Sequence, residues 1–321
     1  MESITIKILS QTFIQNNTLR FRPLLVLLLS VAFLQGCQNA NQSITVNDIE
    51  RTYITSVANL EATSATISDP ISDPISESNK SPVDTVLLLH DYNSNGTSFF
   101  ETTRISASIA KRPIRVIAPD ALGAVFNDGS GLFTDADDVA LLNALLDQYH
   151  DKDGKVVILG IGTGASMAIR FAQETTYSLH AVGLVAGYMF NKTPVDASPP
   201  ANSIILYGNA DPFAPLQAKQ IALSETQMLS VPSVRKSVSD WSRWLSCSTS
   251  ISGMVEGTLM QKSWIGCRRN SRFTEFTIRN FGHHWAMPNP AEQPNTNLYG
   301  PYLYRLNTTE LMLNTFLGKV E

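Results

Sequence analysis

This chain has few cysteines, few charges and no long apolar span. Its 321 residues hold only three cysteines. No CxxC motif or His/Cys cluster is present, so no structural zinc is expected, and nothing in the sequence asks for a metal or a cofactor. Charged residues make up 16% and carry a formal net charge of −4, without a basic run. That balance argues against nucleic acid as a partner. The longest apolar run, Pro23 to Leu34, is twelve residues. A membrane-spanning helix needs about 20. The 43% hydrophobic content is ordinary for a globular chain with one sizeable core.

What the N-terminal region does have is the layout of an export signal. Lys7, Arg20 and Arg22 precede the apolar run, which closes on Leu34-Gln35-Gly36-Cys37. This order resembles a bacterial lipobox and predicts a signal peptide over 1–36 with lipidation of Cys37. Gln38 in place of aspartate after the cysteine resembles lipoproteins of the outer membrane, so the expected location is the cell envelope, anchored by lipid. Loss of residues 1–36 would take the net charge from −4 to −6. In the oxidising compartment this address implies, Cys247 and Cys267 are expected to pair.

Residues 37–82 are rich in Ser, Thr, Asn, Asp and Pro and include the near-repeat Ile67-Ser68-Asp69-Pro70, Ile71-Ser72-Asp73-Pro74. Such a segment buries too little apolar surface to offset its ordering entropy. It reads as a tether, with an edge strand over 50–57. From 83 to 321 strands and helices alternate. Val86-Leu87-Leu88-Leu89, Ile114 to Ala118, Val156 to Leu159, Val182 to Ala186, Ile204 to Tyr207 and Thr274 to Ile278 read as strands. Asp138 to Tyr149 reads as a helix, and Asn307 caps another. This pattern predicts an α/β fold with a doubly wound, mostly parallel sheet and a site at the carboxyl ends of the strands.

Three strand ends carry candidate chemistry. After Leu159 comes Gly160-Ile161-Gly162-Thr163-Gly164, a strand–turn–helix in the style of a G-x-S-x-G nucleophile elbow with glycine in the serine position. After Tyr207 comes Asp211, and after Ile278 comes His283. Elbow, acid and histidine follow one another as in serine hydrolases of this layout. Each signal alone has a plainer reading: Asp-Pro as a turn, His-His-Trp as packing, the glycines as close contact or a phosphate seat. The last lacks the Lys-Ser/Thr of a phosphate loop.

With those residues in view, the chain resembles the secreted polyhydroxybutyrate depolymerase / feruloyl esterase group of α/β-hydrolases. The likeness runs from Arg51-Thr52-Tyr53 through Val86–His90, Pro119-Asp120, Asn127-Asp128-Gly129, Asp137-Asp138 and the elbow to Tyr207–Pro212, Trp244–Cys247, Gly266-Cys267 and Gly282-His283-His284-Trp285. The resemblance implies an α/β-hydrolase fold, Asp211 as catalytic acid, His283 as base, a Cys247–Cys267 disulfide, and an oxyanion region at His90, Asp91 and Thr163. Gly162 stands where the family has its serine, and Asp91 where it has the oxyanion glycine. A carboxylate there opposes developing negative charge unless it turns away. The expected protein is therefore a membrane-tethered relative of esterases without ester hydrolase activity, its cleft open to a small ester or acyl ligand. The alternatives are an active carboxylic-ester hydrolase using Thr163 or Ser166, and an enzyme using Asp211 and His283 as an acid/base pair alone.

Overall fold

The computed structural model describes residues 40–57, 82–133, 135–190, 198–222 and 228–320. The signal segment, Cys37 and the Ile-Ser-Asp-Pro repeat lie outside these. Among the described residues twelve strands form: β1 (Ala40–Val46), β2 (Ile49–Val57), β3 (Asp84–Leu89), β4 (Ile114–Pro119), β5 (Val156–Ile161), β6 (Ala181–Val185), β7 (Asn202–Gly208), β8 (Lys219–Ala222), β9 (Met228–Val231), β10 (Thr249–Glu256), β11 (Leu259–Ile265) and β12 (Arg272–Ile278). All but β8 and β9 build one sheet, ordered β1-β2-β4-β3-β5-β6-β7-β12-β11-β10. Its centre, β4-β3-β5-β6-β7-β12, is parallel throughout. Helices α1 (Gly96–Thr103), α2 (Ser106–Ile109), α3 (Asp138–Tyr149), α4 (Thr163–Glu174), α5 (Val234–Trp244), α6 (Thr296–Tyr299) and α7 (Thr308–Leu317) accompany it. No described helix is long and apolar enough to cross a membrane.

The central strands are parallel and buried because they are continuously apolar. Val86 to Leu89 and Val157 to Leu159 have no solvent exposure, as strands covered on both faces require. The predicted helices form where their caps stand. Asp137 accepts from the Ala140 N–H at the start of α3, and Asn307 accepts from the Glu310 N–H at the start of α7.

Two expectations need correction. The segment read as a tether already contains an antiparallel hairpin, β1 with β2, and β2 is not an edge strand: it lies between β1 and β4. The composition argument failed because β1 needs little apolar burial. Its backbone is paired along β2, and Gln42 Oε1 accepts from the Tyr53 and Tyr149 hydroxyls. Behind it, Arg51 on β2 meets the buried Asp138 of α3 at 2.6 Å, and Asp138 also accepts the Asn127 N–H. At the other end the hairpin β10–β11 extends the sheet beyond β12. The Cys247–Cys267 disulfide closes the base of that hairpin, tying the end of α5 to the approach of β12.

Candidate functional site

The parallel strands end together, and their carboxyl ends bring the predicted residues into one place. Gly162 is the turn between β5 and α4, with φ 55° and ψ −119°. A residue with a Cβ is strained at such angles, and glycine is not. The turn is also tight against β3: a Cβ at Gly164 would fall 2.1 Å from the Leu89 carbonyl oxygen. The sequence of small residues is thus what lets the helix start so close to the sheet.

Past β7, the loop holding Asp211 folds back on its carboxylate. Oδ1 accepts the N–H groups of Phe213 and Ala214 at 2.8 and 2.7 Å, and Oδ2 meets His283 Nδ1 at 2.8 Å. The Asp211 side chain has no solvent exposure. Past β12, His283 is fixed by its own N–H on the Tyr299 carbonyl and by the edge of Phe213 against its ring. Asp211 and His283, delivered by the ends of β7 and β12, are therefore joined by a hydrogen bond.

Asp91 reaches into the elbow. It neither stands apart from the elbow nor turns away. Oδ1 accepts the Thr163 N–H at 2.9 Å, and Oδ2 lies 2.8 Å from His283 Nε2. A Cβ built on Gly162 would be 1.9 Å from Oδ1 and 2.3 Å from Cγ. The carboxylate sits in the space a side chain at Gly162 would enter. It is attracted there by an imidazole and by an N–H at the positive end of a helix. The sequence signal was present in the two departures at Asp91 and Gly162, but no spacing rule says which way a loop side chain turns.

The electrostatics follow from this arrangement. Burial alone would push the His283 pKa down, but the Asp211 and Asp91 carboxylates override it and raise it to about 10. Burial pushes the Asp91 carboxyl up, yet His283 and the N–H groups of Thr163 and Tyr92 outweigh it and hold it below the usual range. At neutral pH the site is an imidazolium between two carboxylates. A serine-type base needs a neutral ring, and here both ring nitrogens are engaged.

The other sequence candidates have structural places. His90 is fully buried; Nδ1 donates to the Asp91 carbonyl at 2.7 Å and Nε2 accepts from the Ala121 N–H at 3.0 Å. Its side chain anchors the Asp91 loop. Burial lowers its pKa, matching the neutral tautomer these bonds require. Ser166 is buried, donating to the Gly162 carbonyl at 3.1 Å and accepting from the Tyr188 N–H at 2.9 Å. The Thr163 hydroxyl faces Asp91 Oδ1 at 3.5 Å, a marginal contact. Neither hydroxyl bonds to His283.

Asp91 and His283 open onto a cleft of about 400 Å³, walled in part by Phe99, Trp285, Tyr299 and Tyr302. Its size suits a small organic ligand. The Asp91 side chain is 24% exposed, so the cleft reaches it, whereas Asp211 lies behind His283. Among the described residues, no group of three or more His, Cys, Asp or Glu is arranged to hold a metal ion.

One solved structure supports the fold. An acetyl xylan esterase from Aspergillus awamori superposes with a TM-score of 0.50 at 11% identity, over 76% of this chain and 94% of that one. A predicted CIB-like hydrolase from Thermoplasma acidophilum gives a TM-score of 0.45 at 12% identity, over 77% of this chain and 90% of that one. No curated protein matches. Residues 86–292, more than half of the chain, match the family described as alpha/beta hydrolase, and with the sheet order and the elbow this places the chain in the α/β-hydrolase family.

Proposed function

We propose that this protein is a lipid-anchored relative of the polyhydroxybutyrate depolymerase / feruloyl esterase group that has lost ester hydrolysis by a hydroxyl nucleophile and keeps the cleft for a small ester or acyl ligand. One observation carries the reading: the Asp91 carboxylate fills the space beside Gly162 where a serine side chain would stand. The consequences are threefold. The attacking hydroxyl is absent, the Thr163 N–H that would stabilise an oxyanion is already bonded to an anion, and the ring that would act as base is charged. The full chain is expected not to react with a fluorophosphonate probe and to turn over p-nitrophenyl acetate no faster than His283→Ala. Labelling of the wild type that disappears in Thr163→Val or Ser166→Ala would overturn the proposal.

The anchor is part of the same reading. With β1 beginning at Ala40, a lipid on Cys37 would hold the edge of the sheet close to the membrane surface rather than at the end of a long tether. An alkyne fatty acid fed to cells should label the wild type and not Cys37→Ser. Equal labelling of the two would refute the anchor and leave the reading of the site intact.

A further inference from the structure

We propose that the cleft binds an organic cation, a primary ammonium group carried on an apolar body. The inference rests on the reading above, that the cleft is kept for a small ligand, and it names the chemical class of that ligand.

The first pointer is His284, which the Asp211–His283 arrangement does not use. Its ring lines the cleft although the residue is only 8% exposed. Nε2 lies 2.8 Å from the Gly300 carbonyl oxygen, an acceptor alone, so Nε2 carries a hydrogen. Nδ1 has no hydrogen-bond partner among the described residues. Polar groups in buried side chains are nearly always paired, and one left free beside a cavity is a place for a ligand. An ordinary imidazole is mostly neutral above about pH 7, and with the hydrogen on Nε2 it offers a lone pair at Nδ1. The ligand that completes this ring brings an N–H or an O–H.

The charges around the cleft choose between those donors. Asp91, Glu101 and Glu292 line it, and no lysine or arginine does. Among the described residues neither glutamate has a cationic partner within ion-pair distance. Arg104, just past α1, turns its guanidinium to the Pro290 carbonyl and lines a separate cavity. His283 is enclosed by the carboxylates of Asp91 and Asp211, so even a charged ring leaves no net positive charge there. A ligand carboxylate would enter a cleft of its own sign; an ammonium enters one of opposite sign.

The aromatic wall suits the same ligand. Trp285 Nε1 donates to the Thr309 hydroxyl, and the Tyr302 hydroxyl accepts the Met287 N–H and donates to the Met287 carbonyl. Their polar atoms are engaged within the protein, which leaves ring surface for a ligand. Trp285 stands edge-to-face with Phe99 at 5.2 Å between ring centres, and Tyr302 with His284 at 5.0 Å. Aromatic faces attract an ammonium through their quadrupole and cover an apolar body.

Calorimetric titration of the full chain at about pH 8 provides the test, with phenethylamine, phenethyl alcohol and phenylacetate as matched cation, neutral and anion. The amine should bind about tenfold or more tightly than the alcohol, and phenylacetate should not bind. Added salt should weaken the amine and leave the alcohol unchanged. Glu101→Gln/Glu292→Gln alters two exposed side chains and should weaken the amine by about 2- to 30-fold. His284→Gln keeps a donor near the Gly300 carbonyl and removes Nδ1, so it should weaken the amine by about tenfold or more. Circular dichroism checks that this variant folds; if it does not, the ligand series and the glutamate pair decide. Equal affinity for amine and alcohol, tighter binding of phenylacetate, or no binding of the amine would each overturn the proposal, as would indifference of the amine to the glutamate changes. None of these outcomes touches the loss of hydroxyl chemistry, which is read separately with the fluorophosphonate.

Discussion

Gly162→Ser is the natural attempt to restore a serine hydrolase, and the structure gives it a defined cost. The new side chain meets a backbone at φ 55°, a strain of about 1–3 kcal/mol for a residue with a Cβ. Its Cβ also falls 1.9 Å from Asp91 Oδ1, so the carboxylate has to leave. Leaving breaks charge-assisted bonds to Thr163 and His283, and one such bond is worth about 1.5–3 kcal/mol. The single variant should then lose about 4–9 kcal/mol, a large part of the total stability of an ordinary domain. In an Asp91→Gly background the seat is vacant and those bonds are already gone, so the same serine should cost the backbone strain alone. A double-mutant cycle by urea denaturation should return a coupling of about 1.5 kcal/mol or more between positions 91 and 162, the two changes being less harmful together than their sum. Fluorophosphonate labelling should appear in Asp91→Gly/Gly162→Ser and stay absent from Gly162→Ser. Additive costs within about 0.5 kcal/mol would mean that Asp91 does not occupy the seat, and the electrostatic account of the site would fall with it.

His283 sets a pH window. Its folded pKa is raised to about 10, so its contribution to stability is complete below about 6.5 and declines as pH rises through about 10. Unfolding free energy of the wild type should therefore fall between pH 7 and 10, more steeply than that of Asp91→Asn, in which one of the two counter-charges is gone; equal slopes would refute the assignment. The Cys247–Cys267 bridge, closing a separation of 20 residues, should stabilise by about 3 kcal/mol in the chain-entropy model. Cys247→Ser/Cys267→Ser should show that loss in denaturant, and an unchanged midpoint would show that the hairpin base holds without it. Ser166→Ala removes the acceptor of the buried Tyr188 N–H and should cost about 1–3 kcal/mol in urea denaturation. An unchanged midpoint would show that this bond does not hold the elbow.

The sequence by itself determined the centre of this protein. Runs such as Val86-Leu87-Leu88-Leu89 can be buried only between two layers, and the small residues from Gly160 to Gly164 permit a helix to start where bulkier ones would collide with β3. The order of Gly162, Asp211 and His283 was legible for the same reason: a parallel sheet delivers the ends of its strands to one side. The periphery was less legible. Strand β1 and the hairpin β10–β11 lie at the ends of the sheet, held by ladder bonds that carry no composition signature. Tertiary structure alone decided the chemistry of the site. In the sequence, Asp91 is a carboxylate 71 residues from Gly162. Only the folded chain shows it bonded to Thr163 and His283, because a side chain's direction is set by the charges and donors that surround it, and these come from β3, α4 and the end of β12 together.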